Sequence, residues 1–213
     1  MLTEQERSFL ETIAKTPMPA DVQGLRTLMD TFAPMLNQNL PEIGAFHEAV
    51  EIRPGLTADV AVPKGNGPHP VVVYLHGGGW VGGSSRSHRK LGMQFAEAGY
   101  LTINVDYRLA PEHPFPAGLD DCVYAVKWAG ENAKRWNGDA SRLAVGGDSA
   151  GLYRRQVRRR LRHHSRDARV GRARAAGEGG GRRIGAAVAI FSGSPSHYGK
   201  GSGVRSPDLR LQP

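Results

Sequence analysis

The sequence predicts an α/β protein with a mostly parallel sheet and helices on both faces. Three observations carry this. Residues 70 to 75, Tyr100 to Val105 and 143 to 146 are short, largely apolar runs suited to strands buried on both faces of a sheet. Stretches of helical character, about Arg89 to Ala98 and Ala117 to Asn132, alternate with them. Two of the runs also end in glycine-rich turns, at His76-Gly77-Gly78-Gly79-Trp80 and at Gly147-Asp148-Ser149-Ala150-Gly151. Sites of such folds gather at the carboxyl ends of parallel strands, which is where both turns fall.

Taken in order, the chain opens with a helical region over residues 1–40. Thr3-Glu4-Gln5-Glu6 reads as a capping box, followed by Phe9, Leu10 and Ile13 on a narrow apolar face. A second helix sets Val22, Leu25, Leu28, Met29 and Phe32 at helical spacing. From Phe46 to Val62 two alternating stretches suggest antiparallel edge strands, and Pro63 to Pro68 forms a turn into the central pattern. A proline-rich loop carries Asp106, Tyr107, Arg108, Glu112 and His113. Asp106 and Arg108 are expected to pair locally and fix that loop, while Asp120 and Asp121 suit the positive end of the helix that follows. Cys122, the single cysteine, sits among Leu119, Val123 and Val126 and reads as a buried apolar residue. One cysteine excludes an internal disulfide framework.

Gly147 to Gly151 has the Gly-x-Ser-x-Gly form of a nucleophile elbow, which makes Ser149 the candidate nucleophile. Alone, a serine between glycines is a common flexible turn. His76 to Trp80 adds context, because successive glycines let backbone N–H groups converge on one point and stabilise a negative oxygen, together with the N–H of Ala150. His76, at the strand end, reads as holding the loop by hydrogen bonds rather than as a base. No GxxxxGK[ST] pattern supports a nucleotide site.

His-Gly-Gly-Gly-Trp at 76–80, the stretch from Asp106 to Asp121 and Gly-Asp-Ser-Ala-Gly at 147–151, in that order, resemble the hormone-sensitive-lipase-like esterases. The resemblance covers about residues 40 to 151. It implies an α/β-hydrolase fold and a small carboxylic ester as substrate, with no cofactor and no metal. Ser149 would attack, Gly77, Gly78 and Ala150 would hold the oxyanion, and Gly79, Asp148 and Gly151 would support the motifs. It also implies that residues 1–40 belong to a cap, although packing on the sheet explains their pattern equally well.

Net charge is +8, yet the basicity is confined to one region. Residues 1–151 carry 13 Lys+Arg against 17 Asp+Glu, net −4, and residues 152–213 carry 15 against 3, net +12. The division gives a partial hydrolase domain over 41–151 and an Arg/Gly-rich tail over 152–213. Leu, Ile, Val and Phe supply 11 of the tail's 62 residues, a composition on the disordered side, and only Ile184 to Phe191 can pair as a strand. Few aromatics interleave its arginines, which argues against nucleic-acid binding. In the resembling family an Asp about a hundred residues past the serine, and a His after it, complete the triad on loops that follow two further strands, and those C-terminal strands are expected to be missing here. Asp167 and His197 stand in the right order, but too near the serine to allow a helix, strand and loop between. Turnover is therefore expected to be weak or absent, and the alternatives are a non-catalytic ligand-binding protein of the same fold or nucleic-acid binding through the basic tail. A shift of reading frame at 151/152 would convert alanine codons into arginine codons, and the gene's neighbouring frame would then have to encode an apolar helix and later Asp and His motifs. No leader and no long apolar run stand in the chain, so the expectation is a soluble cytoplasmic protein. The oligomeric state is not legible.

Overall fold

The computed structural model describes residues 4–147 and 189–191. Two helices come first, α1 over Glu4–Lys15 and α2 over Val22–Leu36. β1 (Ala45–Arg53) and β2 (Leu56–Val62) form an antiparallel hairpin that turns at Pro54-Gly55, with Gly55 at φ +76. β3 (His69–Leu75), α3 (Arg89–Glu97), β4 (Leu101–Asp106) and α4 (Ala117–Asn132) follow. A short 3-10 turn, Ala133–Trp136, leads into β5 (Gly138–Gly147), and β6 spans Ala189–Phe191.

The six described strands form one sheet in the order β1-β2-β4-β3-β5-β6. β2 pairs antiparallel with β4, whereas β3 pairs parallel with both β4 and β5, and β5 parallel with β6. The mostly parallel architecture expected from the sequence therefore holds, with the expected edge hairpin. β6 lies within the run from 184 to 191 that the tail's composition singled out.

Period-2 alternation along β3 sorts its side chains between two helical layers. Val71, Val73 and Leu75 join the core built with Leu119, Cys122, Val123 and Val126 of α4, while Val72 and Tyr74 pack with Phe95 of α3. Cys122 is fully buried, as its neighbours implied. β5 begins five residues earlier than the apolar run suggested, because Pro70 pairs with Asp139 ahead of a register shift. Asp139 hides that start in the sequence: its carboxylate accepts from the Ser141 N–H and hydroxyl and from Arg142, a local turn inside the strand's polar half.

Thr3, the first residue of the expected capping box, lies outside the described residues. α2 is capped by Asp21, whose carboxylate accepts from Gly24 N at 2.7 Å. Its face of Val22, Leu25, Leu28, Met29 and Phe32 is half-buried, as the spacing predicted, whereas Leu10 and Ile13 of α1 are exposed.

Candidate functional site

Leu75, the last residue of β3, pairs with Val105 of β4 on one side and with Gly147 of β5 on the other. Three strand ends therefore meet, and His76, Asp106 and Gly147 stand together where the chain leaves the sheet. Gly147 must lack a side chain there: a Cβ would lie 2.3 Å from the Leu75 carbonyl oxygen. The first glycine of Gly-x-Ser-x-Gly thus answers to the close approach of β3.

Past Leu75 the chain turns sharply. Gly78, Gly79 and Trp80 take φ of +123, +62 and +71. The Gly78 carbonyl accepts from Val81 N at 3.2 Å and Gly82 N at 3.0 Å, closing the turn, and a Cβ on Gly78 would stand 2.1 Å from Gly82 O. The N–H groups of Gly77 and Gly78 take part in neither bond.

His76 is 1% exposed, with Nδ1 2.8 Å from the Gly77 carbonyl oxygen and its ring stacked on Tyr107 at 4.2 Å. Burial pushes its pKa down to about 4, against the opposing pull of the Gly77 carbonyl. The imidazole is therefore neutral at pH 7. Among the described residues Nε2 meets no hydrogen-bond partner.

The proline-rich loop braces the glycine loop from below. Tyr107 OH donates to the His76 carbonyl at 2.6 Å, and Ala110 N donates to the Trp80 carbonyl at 2.9 Å. Asp106 accepts from Ser85 N at 3.0 Å, and Asn104 Nδ2 donates to the Ser85 carbonyl at 2.9 Å. Burial pushes the Asp106 carboxyl up, and the Ser85 N–H pulls it back.

Two expectations are corrected. Asp106 does not pair with Arg108, because it ends β4 facing the Ser85 segment while the chain turns Arg108 toward α4. Arg108 instead donates from Nε and from its backbone N to Asp121 Oδ2 at 2.8 and 3.0 Å, and from Nη2 to Oδ1 at 2.8 Å. Asp121, expected to serve the helix dipole, is fully buried and also binds Arg53 of β1. It ties hairpin, loop and helix together at one carboxylate.

Of the proposed site residues, His76, Gly77, Gly78, Gly79 and Gly147 come together at these strand ends. Asp148, Ser149, Ala150 and Gly151 lie outside the described residues, as do Asp167 and His197. Sequence reasoning missed the braces Tyr107 and Asp121, and also Arg26 of α2, which hydrogen-bonds Val81 O and Ala110 O. The one signal for Arg26 was a cation beside Leu25 on an otherwise apolar helix face. Among the described residues no cluster of His, Cys, Asp and Glu is fit to hold a metal, and no helix is long and apolar enough to cross a membrane.

Fold and loop together define an α/β-hydrolase-fold protein. A sequence family described as having the alpha/beta hydrolase fold matches residues 72–152. Over 83 residues the chain is 55% identical to Carboxylesterase NlhH of Mycobacterium tuberculosis, and 47% identical to Esterase LipI of that organism. Either match covers 38% of this chain and 26% of the relative. Among solved structures, an esterase of Pyrobaculum calidifontis matches with a TM-score of 0.60 at 36% identity, covering 67% of this chain and 48% of that one. An ester-hydrolase from the metagenome of Lake Arreo gives 0.63 at 31%, covering 78% and 56%. The chain thus spans about a quarter of the curated relatives' length and about half of the solved structures. Over this stretch it is similar to the hormone-sensitive-lipase-like carboxylesterases, as its three motifs implied.

Proposed function

We propose that the chain carries the acyl-transfer half of a carboxylesterase site, with a small carboxylic ester as substrate. One observation carries the reading: β5, which leads directly into Gly-Asp-Ser-Ala-Gly, ends beside β3, which opens into a glycine loop turned by three successive positive φ angles. The match to the alpha/beta hydrolase fold family over residues 72–152 includes the glycine loop and reaches past Gly151.

In this reading Ser149 Oγ attacks the ester carbonyl carbon, and the carbonyl electrons move onto oxygen. The N–H groups of Gly77, Gly78 and Ala150 hold that oxyanion, alcohol leaves, and water then releases the acid from the acyl-enzyme. The serine proton must go to a base. His76 suits that role poorly, since a buried imidazole with a pKa of about 4 lies well below an operating pH near 7. We therefore expect feeble turnover by this 213-residue chain.

Hydrolysis of p-nitrophenyl acetate and butyrate by the purified chain, beside its Ser149→Ala variant, tests the reading. A slow activity lost in the variant supports it. Equal rates in both would overturn the assignment of Ser149, and brisk turnover by the unmodified chain would overturn the expectation of a deficient base.

A further inference from the structure

The glycine loop rests on α2, which the motifs do not reach. Arg26 uses four N–H donors on three loop groups. Nε donates to Val81 O at 2.6 Å, Nη2 to Ala110 O at 2.9 Å, and the fork of Nη1 and Nη2 takes both Glu112 oxygens at 2.8 and 2.7 Å. Its side chain is 23% exposed and that of Glu112 is 55% exposed. The pair lies at the rim, while the carbonyl bonds point inward.

Two further contacts show α2 to be seated on the loop. A Cβ on Gly82 would come 2.8 Å from Met29 Sδ, so the loop backbone lies directly against a side chain of the helix. At the other end, Asn37 caps α2 and bonds the segment after the loop in both directions, donating to Arg86 O at 2.8 Å and accepting from Lys90 N at 3.0 Å. Arg26 and Asn37 are about 16 Å apart along the helix axis at 1.5 Å per residue. Helix α2 therefore splints the chain from Val81 to Lys90.

We propose that Arg26 is a positioning residue for the oxyanion loop. It fixes the Val81 carbonyl against the carbonyl of Ala110, whose own N–H already donates to the Trp80 carbonyl, and so sets the direction of the turn that carries the Gly77 and Gly78 N–H groups. Helix α2 is on this account part of the reaction site rather than only a cover. The inference rests on the ester-hydrolase reading for its consequence and on the hydrogen bonds alone for its geometry. A planar guanidinium is required, since a lysine ammonium cannot bridge two carbonyls and a carboxylate in that fork.

Hydrogen exchange in the full chain separates the two. In Arg26→Ala, amides of 76–83 should exchange at least ~10-fold faster while those of 69–75 in β3 stay as they were, because loosening a loop need not open the sheet. Arg26→Lys should resemble Arg26→Ala. Glu112→Gln, which removes the rim ion pair and spares the carbonyl bonds, should stay within about 2-fold of the unmodified chain. With p-nitrophenyl acetate, kcat should fall roughly 10- to 100-fold in Arg26→Ala with KM within about 3-fold, the mark of a misaimed group rather than lost binding. Unchanged exchange at 76–83, equal acceleration across 69–75, or a Glu112→Gln effect matching Arg26→Ala would each overturn the proposal. Absence of turnover in the unmodified chain would refute the ester reading instead, and the exchange data would still decide the role of Arg26.

Discussion

Replacing Asp121 by asparagine keeps its shape and removes its charge. The carboxylate is fully buried and accepts three bonds from Arg108 and one from Arg53. Hydrogen bonds to a charged group contribute about 1.5–3 kcal/mol each, which for four would suggest roughly 6–12 kcal/mol. That sum is too large here. The Arg53 and Arg108 side chains are 29% and 38% exposed, so both guanidiniums regain water when the carboxylate is lost. An asparagine still accepts one bond but turns an NH2 toward a donor. We expect a loss of about 3 kcal/mol, within the usual range for breaking a buried network. For a chain of this size that corresponds to a fall in Tm of about 6–12 °C. Urea unfolding at pH 7, followed by the fluorescence of the three tryptophans, measures it directly. A loss under about 1 kcal/mol would show that Asp121 carries no clamp, and that loop and hairpin are held by packing alone.

Two further outcomes follow from the glycine loop. Gly78→Ala places a Cβ 2.1 Å from Gly82 O at a φ of +123, so the turn must open, and any ester hydrolysis should fall about 10²- to 10³-fold, as when one oxyanion donor is removed; kcat within 2-fold would refute this. His76 is a base whose pKa is lower folded than unfolded, so between about pH 6.5 and about pH 4 the unfolded chain binds the extra proton and stability falls as pH falls. The contribution is complete above pH 6.5 and amounts to about 3 kcal/mol at most. Asp59 and Asp106, whose carboxyls burial pushes up, act in the opposite sense at the acid end of this window, so the comparison of His76→Gln with the unmodified chain isolates the histidine. Parallel stability-versus-pH curves for the two would show that His76 is not held neutral.

The sequence made the central strands legible because β3 is apolar on both faces, and a strand covered by helices on either side leaves just that signature. The glycine loop was legible for a related reason, since positive φ at Gly78 and the approach of Leu75 O to Gly147 both exclude a side chain and write glycine into the text. Ion-pair partners were not legible. Asp106 and Arg108 are neighbours in sequence, yet the chain leaves β4 between them and each finds its partner elsewhere, Ser85 for one and Asp121 for the other. Arg26 lies 55 residues from Val81 and 84 from Ala110, and only tertiary folding brings those carbonyls to it. Polar side chains carry no periodic mark of the partner they will meet, whereas apolar ones carry the period of the surface they cover.

The braces around the glycine loop differ in kind, and the difference bears on chemistry. Tyr107 on the His76 carbonyl, Ala110 on the Trp80 carbonyl and Arg26 on the Val81 carbonyl fix three loop carbonyls, and Gly78 O is held within the turn itself. With its carbonyls tied, a peptide plane cannot rotate freely, and its N–H direction is set before any substrate arrives. Stabilisation of an oxyanion depends on such preorganisation, because donors that must reorient during the reaction lose much of their effect. Proton transfer has a different requirement, a group with a pKa near the working pH, and burial has moved His76 away from it. On the proposed chemistry the described half of the site is therefore better matched to holding a tetrahedral oxyanion than to moving the serine proton, and titration with a tetrahedral phosphonate should show binding to this chain even where ester turnover is feeble; no binding would refute the match.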